Sequence, residues 1–300
     1  MKPKVSIIIP CYNQAKFLPE AIASLQAQTL EDWECIIVDD GSTDNTAETA
    51  ANWALKDPRI QWIQQNNMGS AAARDVGLRL AKGKYIQFLD ADDTITPEKL
   101  EKQVDLMDAN NLDITYTAFC SERNGICSKT RSVKLNKYRI LVNWGLGASV
   151  PIHSFMYRLE FITNNALSLK NLCKVNEDWE WHWNCFEKRP KSFLMANYCG
   201  AIYKHNESGK TGTYIRMQTA NFEFMAHMTS QLKGCAKCLW AFRISEELWV
   251  WLLRMLKYRS TAIIKSILLL KPLWIIVSIL LMPISFWWVM AYFVKAYIAN

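Results

Sequence analysis

The chain has 300 residues, half of them hydrophobic, which is enough for one large domain or two modest ones around a substantial core. Its 35 Lys or Arg exceed its 28 Asp or Glu, for a net charge of +7, but six of the cations and none of the acids fall in residues 251–300. The remaining 250 residues are balanced at 29 against 28, which argues against a nucleic-acid-binding body and points the basic excess at anionic lipid headgroups.

Val5–Pro10 reads as a short buried strand, β-branched and stopped by proline. Phe17–Gln28 has helical spacing, with Leu18, Ile22 and Leu25 on one stripe. Trp33–Asp39 is a second apolar strand that runs into Asp39-Asp40-Gly41-Ser42. A helix follows over Asp44–Lys56, with Ser42 or Thr43 as its cap. Ile60–Ile63 is a brief strand and Ser70–Ala81 a helix closed by Lys82-Gly83. Tyr85–Leu89 is the next strand. Thr96-Pro97 opens a helix to about Asn110, and Asp113–Phe119 is another strand.

Strands alternating with helices over the first 120 residues predict an α/β fold, a mostly parallel sheet with flanking helices. Ligands of such sheets sit beyond the carboxyl ends of the strands. The polar motifs fall there: Cys11-Tyr12-Asn13, Asp39-Asp40 and Asp90–Asp93. Residues 121–210 are less regular. Asn124-Gly125 suggests a turn, Val150–Leu159 a strand, Glu177–Lys188 a helix and Tyr198–Lys204 a final strand.

Pro272–Val294 is 23 residues without a charge, about 34 Å as a helix against a hydrocarbon core of about 30 Å. Pro283 leaves open whether this segment kinks across the membrane or forms a re-entrant hairpin. Cations cluster before it, which predicts a folded body on the cytoplasmic face of the plasma (inner) membrane. The nine cysteines are irregularly spaced and no signal peptide is evident, so they read as reduced. Cys235 and Cys238 have metal-like spacing but no second pair.

Tyr85–Asp93 is an apolar run ending in three carboxylates. Asp90 and Asp92 flank small Ala91, so hard oxygen ligands stand at a strand tip where a divalent cation, Mg²⁺ or Mn²⁺, can carry a diphosphate.

Four ordered segments now resemble family 2 inverting glycosyltransferases of the GT-A fold: Val5-Ser-Ile-Ile-Ile-Pro-Cys-Tyr-Asn13, Ile36-Ile-Val-Asp-Asp-Gly-Ser-Thr-Asp44, Asn67-Met-Gly-Ser-Ala-Ala-Ala-Arg74 and Phe88-Leu-Asp-Ala-Asp-Asp93. Asn176-Glu-Asp-Trp179 is similar to the family's acceptor-side acid pair, and Tyr203-Lys-His-Asn-Glu-Ser208 to its closing segment. The resemblance covers about residues 1–210. It makes 1–120 a nucleotide-sugar-binding half and 121–215 an acceptor half of one catalytic domain; residues 216–300 lie outside it and read from their composition as a helical membrane-associating tail. The donor side takes Pro10, Tyr12, Asn13, Asp39, Gly69, Arg74, Asp90, Ala91 and Asp92, with Asp39 accepting the uracil N3–H. The resemblance makes Asp92 the metal ligand, with His205 adding a contact. It makes Asp178, the second acid of its pair, the general base. The family's usual Asn after the Arg is Asp75 here. Trp179, Trp181 and Trp183 follow the base; indoles stack on sugars but also fill cores, and on one helix at most one or two of them can touch an acceptor.

The expected activity is metal-dependent transfer from a UDP-sugar to a hydroxyl of a glycan or lipid-linked acceptor in cell-surface polysaccharide synthesis. No Gln-x-x-Arg-Trp segment follows the base, so transfer of one or a few sugars is expected rather than long polymerisation. A polyprenyl phosphate acceptor is the alternative, and a non-catalytic membrane-tethered scaffold is the alternative of another class.

Overall fold

The computed structural model describes residues 2–130, 134–137, 139–140, 150–170, 172, 176–204, 224, 227–228 and 230–231. The chain divides into two compact units, Met1–Ile140 with Trp144–Asn206, and Leu141–Asn143 with Glu207–Asn300. The first carries the sheet. The apolar stretch 272–294, the pair Cys235/Cys238 and His205 lie outside the described residues, among which no helix is long and apolar enough to cross a membrane.

The first half folds as its periodicity dictates. The strands are β1 (Val5–Cys11), β2 (Trp33–Asp39), β3 (Ile60–Gln64) and β4 (Tyr85–Phe88). The helices between them are α1 (Leu18–Gln26), α2 (Thr46–Lys56) and α3 (Ser70–Leu80). All seven residues of β1 are buried, because it is paired on both edges, parallel to β2 and β4, and covered on both faces. Register places Cys11 opposite Asp39 and Asp39 opposite Gln64, so these strand tips share one rim.

The second half departs from the expected parallel order. Its strands are β5 (Thr94–Ile95), β6 (Ile114–Arg123), β7 (Ile126–Lys129), β8 (Phe155–Arg158) and β9 (Ser192–Lys204). Among the described residues the sheet runs β3-β2-β1-β4-β8-β6-β9-β5, with β7 on β6. β8 is antiparallel to β4 and β6, β5 antiparallel to β9, and β6 parallel to β9. The sheet is therefore mixed. Single crossover helices force parallel pairing in the first half; the hairpin at Asn124-Gly125, both at positive φ, needs none.

Three local expectations also shift. α2 starts two residues late, because Ser42 and Thr43 are engaged by Asn13 while Asp44 Oδ1 accepts the Thr46 N–H at 3.0 Å. The helix after Thr96-Pro97, α4, spans Lys99–Asn110. The expected strand over 150–159 is only β8, preceded by a 3₁₀ turn at Ile152–Ser154 and followed by a short helix, α5 (Leu159–Asn164). Cys120 and Cys127 lie near each other across the β6–β7 hairpin, 5.7 Å apart at Cα, a spacing that permits a disulfide.

The last helix, α6 (Glu177–Glu187), seats its aromatics in the core. Trp181 is fully buried, edge-on to Phe88 at 5.9 Å and to Tyr157 at 5.7 Å. Trp179 donates its indole N–H to the Ile140 carbonyl at 2.6 Å, and Trp183 is buried as well. None of the three is open to an acceptor; of the two readings of these tryptophans, the structure shows the core one, and Trp181 packs α6 against the end of β4.

Gly83, just before β4, lies against β1. Its N–H donates to Ser6 Oγ at 2.8 Å, and an added Cβ would stand 2.5 Å from the Ser6 nitrogen, a backbone atom that cannot yield. Gly83→Ala is expected to lower unfolding free energy by about 1–3 kcal/mol in urea denaturation; an unchanged midpoint would contradict this packing.

Candidate active site

The rim at the tips of β1 and β2 is braced by its own polar side chains. Asp39 is fully buried, accepting the Ser42 N–H at 3.0 Å on one oxygen and Gln64 Nε2 at 2.9 Å on the other. Asp40 takes Gln65 Nε2 and the Met68 N–H on Oδ1, at 2.7 and 2.8 Å, and the Gly69 N–H on Oδ2 at 2.7 Å. Gly69 has φ +93°, which explains a glycine at the entry to α3. Asn13, itself at φ 55°, accepts the Thr43 N–H at 2.8 Å and that of Asp44 at 3.3 Å. Pro10 is buried in β1, whereas the Tyr12 ring is 46% exposed. Beside these loops lies a cavity of about 590 Å³ lined by Gly41, Ser42, Gln64, Gln65 and Asn66, within the range of small-ligand sites.

The second cluster centres on Arg74, buried in α3. Its Nη2 pairs with Asp90 Oδ1 at 2.5 Å and its Nη1 with Glu177 Oε1 at 3.2 Å. Ser70 Oγ donates to the same Glu177 oxygen. Burial works against the guanidinium charge, but Asp90 and Glu177 outweigh it, so its pKa is raised. Arg74, placed on the donor side by resemblance, holds Asp90 here. Glu177, assigned no role from sequence, is the other anchor. It lies 103 residues from Arg74, beyond any local pattern.

Asp178 follows Glu177 in the first turn of α6 and is half-buried. Burial pushes its pKa up to about 6, the charge of Glu177 adds to this, and Arg74 and the Trp179 N–H oppose it. Asp90 acts on the same carboxyl, so Asp90 and Asp178 share one electrostatic neighbourhood.

Asp75 has its own explanation. One oxygen accepts Ser168 Oγ at 2.7 Å and the Leu169 N–H at 3.0 Å, and the other pairs with Arg79. An asparagine lacks the second acceptor oxygen this arrangement uses.

The third cluster is the tip of β4. Asp93 N–H donates to the Asp90 carbonyl at 3.1 Å, closing a turn over buried Ala91. Asp92 is partly exposed on this turn. Asp93 is buried; one oxygen accepts the Lys204 N–H at 2.8 Å and the other lies 3.1 Å from Nδ1 of fully buried His153. One ligand atom each from Asp90, Asp93 and His153 lies within 4.8 Å of the others. Burial, with the charges of Asp90 and Asp92, raises the Asp93 pKa well above the carboxylate range. Burial lowers that of His153 to about 4, leaving a neutral imidazole at neutral pH. Two carboxylates and an unprotonated imidazole fit a divalent cation. Sequence reading missed Asp93 and His153 as a pair. The third carboxylate was visible, but His153 was hidden in an expected strand.

The sequence profile described as Glycosyl transferase family 2 matches residues 6–163. An uncharacterized glycosyltransferase of Haemophilus influenzae is 32% identical over 244 residues, covering 80% of this chain and 94% of that one. Other curated relatives match over 111–119 residues, only 17–47% of their own lengths. Staphylococcus aureus TarS 1–349 in complex with UDP-GlcNAc superposes with TM-score 0.62 at 18% identity, over 82% of this chain and 71% of that one. The mannosyltransferase PcManGT of Pyrobaculum calidifontis, in complex with GDP-Man and Mn²⁺, gives TM-score 0.56 at 14% identity, over 94% and 87%. The profile spans more than half of the chain and the Haemophilus relative most of it: the protein belongs to glycosyl transferase family 2, and is a glycosyltransferase with the GT-A fold.

Proposed function

We propose that the protein transfers one or a few sugars from a UDP-sugar to a hydroxyl of a surface-glycan acceptor, with inversion and with a divalent cation. Asp178 carries this reading. It is a half-buried acid with a pKa of about 6, one residue from the Arg74 anchor and within the field of Asp90. A base needs a pKa near the working pH and a position facing the reacting centre, and this acid meets the first requirement without help from any ligand.

The roles are those the family resemblance implies. Asp39 receives the N3–H of the base through lone pairs its two present partners leave over. The exposed Tyr12 ring packs on the base. Arg74 keeps one Asp90 oxygen fixed, so the rim faces the diphosphate in one orientation. When bound at the β4 tip, a divalent cation supplies Lewis-acid neutralisation of the leaving nucleoside diphosphate. Asp92 contributes from the partly exposed side of the turn, and His205 is the further contact implied by resemblance. Asp178 takes the proton of the acceptor hydroxyl as its oxygen attacks the anomeric carbon.

The donor class is supported by the UDP-GlcNAc in TarS and the GDP-Man in PcManGT. The polysaccharide setting is supported by a Bacillus subtilis relative, TuaG, named for teichuronic acid biosynthesis. Membrane attachment through the tail and a cytoplasmic-face location rest on the sequence of residues 251–300.

Asp178→Asn is expected to lower kcat by ~10²-fold or more with the UDP affinity unchanged, read by transfer assay and calorimetry. Full activity in that variant would contradict base catalysis and favour a phosphate acceptor. The base must be ionised to act, and its pKa is raised to about 6. Activity is therefore present above that value and lost as pH falls through it, by about tenfold per unit. A kcat/KM profile that stays flat down to about pH 5 would contradict the assignment.

A further inference from the structure

Three buried polar side chains outside the roles above converge on the turn that carries His153. Lys99 Nζ donates to Gln103 Oε1 at 2.6 Å and also to Gln87 Oε1. Gln87 Nε2 donates to the His153 carbonyl at 2.9 Å, and Gln103 Nε2 to the Ser154 carbonyl at 3.4 Å and Thr115 Oγ1 at 3.1 Å. Lys99, Gln87 and Gln103 are fully buried. Burying an amine and two amides is costly, and two of their hydrogen bonds hold the carbonyls of His153 and Ser154. The imidazole on that turn is thereby fixed in direction.

What it is fixed toward is the acidic rim. His153 is fully buried, and neither ring nitrogen has a hydrogen-bond partner. Its Nδ1 stands 3.1 Å from Asp93 Oδ2, yet the pair lacks the geometry of a hydrogen bond. Neighbouring ligands of an octahedral cation with bonds of about 2.1 Å stand about 3 Å apart. Two ligand atoms at that separation stand as two neighbouring corners of a coordination sphere do.

We propose that His153 is a direct ligand of the divalent cation, together with Asp93 and Asp90. This rests on the metal-dependent reading above and extends it to Asp93 and His153, which the family resemblance left without a role. A nitrogen ligand shifts preference from Mg²⁺ toward Mn²⁺.

Pulsed electron paramagnetic resonance of the full chain with Mn²⁺, alone and with UDP, tests this. The expected result is ¹⁴N modulation from a bound imidazole, kept in His205→Gln and lost in His153→Gln, with Mn²⁺ affinity about 10–100-fold weaker in the latter. Asp93→Asn should weaken Mn²⁺ binding similarly while keeping the nitrogen signal, which holds the test open if His153→Gln does not fold. Bound Mn²⁺ without nitrogen modulation, or modulation that survives His153→Gln or disappears in His205→Gln, overturns the inference and leaves metal-dependent transfer standing. No Mn²⁺ binding with or without UDP overturns both.

Discussion

One buried guanidinium is shared by two carboxylates from distant parts of the chain. Arg74 meets Asp90, at the tip of β4, and Glu177, at the start of α6. Removing a charge from water costs several kcal/mol, and a buried pair offsets this only with good geometry on both sides. Arg74 has a partner on each of two nitrogens, and Ser70 adds a hydrogen bond to Glu177. The arrangement fixes α3, β4 and α6 relative to one another. The acid proposed to bind donor and the acid proposed to activate acceptor are thus held by a single side chain.

Burial acts on the surrounding titratable groups in opposite directions. It raises the carboxyls of Asp93 and Asp178 and lowers the imidazole of His153, because in each case the charged form is the one disfavoured. The rim therefore carries less charge than a count of its acids suggests. The same desolvation places Asp178 near pH 6, where a carboxyl can both accept and release a proton.

The sequence showed the first half well and the second half poorly, for physical reasons. β1 and β2 are buried on both faces and joined by single helices, so apolar runs and helical stripes mark them directly. Their polar tips are visible because the apolar pattern stops there. β8 is four residues long, and its direction depends on pairing with β4 and β6. No local signal carries that information. The 3₁₀ turn holding His153 was absorbed into an apolar stretch that looked like strand. Trp179, Trp181 and Trp183 resembled a sugar-binding run, and only the packing around Phe88 and Tyr157 shows them as core. Asn13 and Asp40 were conspicuous, but their hydrogen bonds go largely to neighbouring loops. A motif residue can thus shape a site by bracing it.

The central claim is that Arg74 couples Asp90 to Glu177. A double-mutant cycle with Asp90→Asn and Glu177→Gln, measured by urea denaturation, tests it most directly. A shared guanidinium predicts a coupling energy of about 1 kcal/mol or more between the two substitutions. Additivity to within about 0.5 kcal/mol would mean that the two acids are held independently, and would contradict the account.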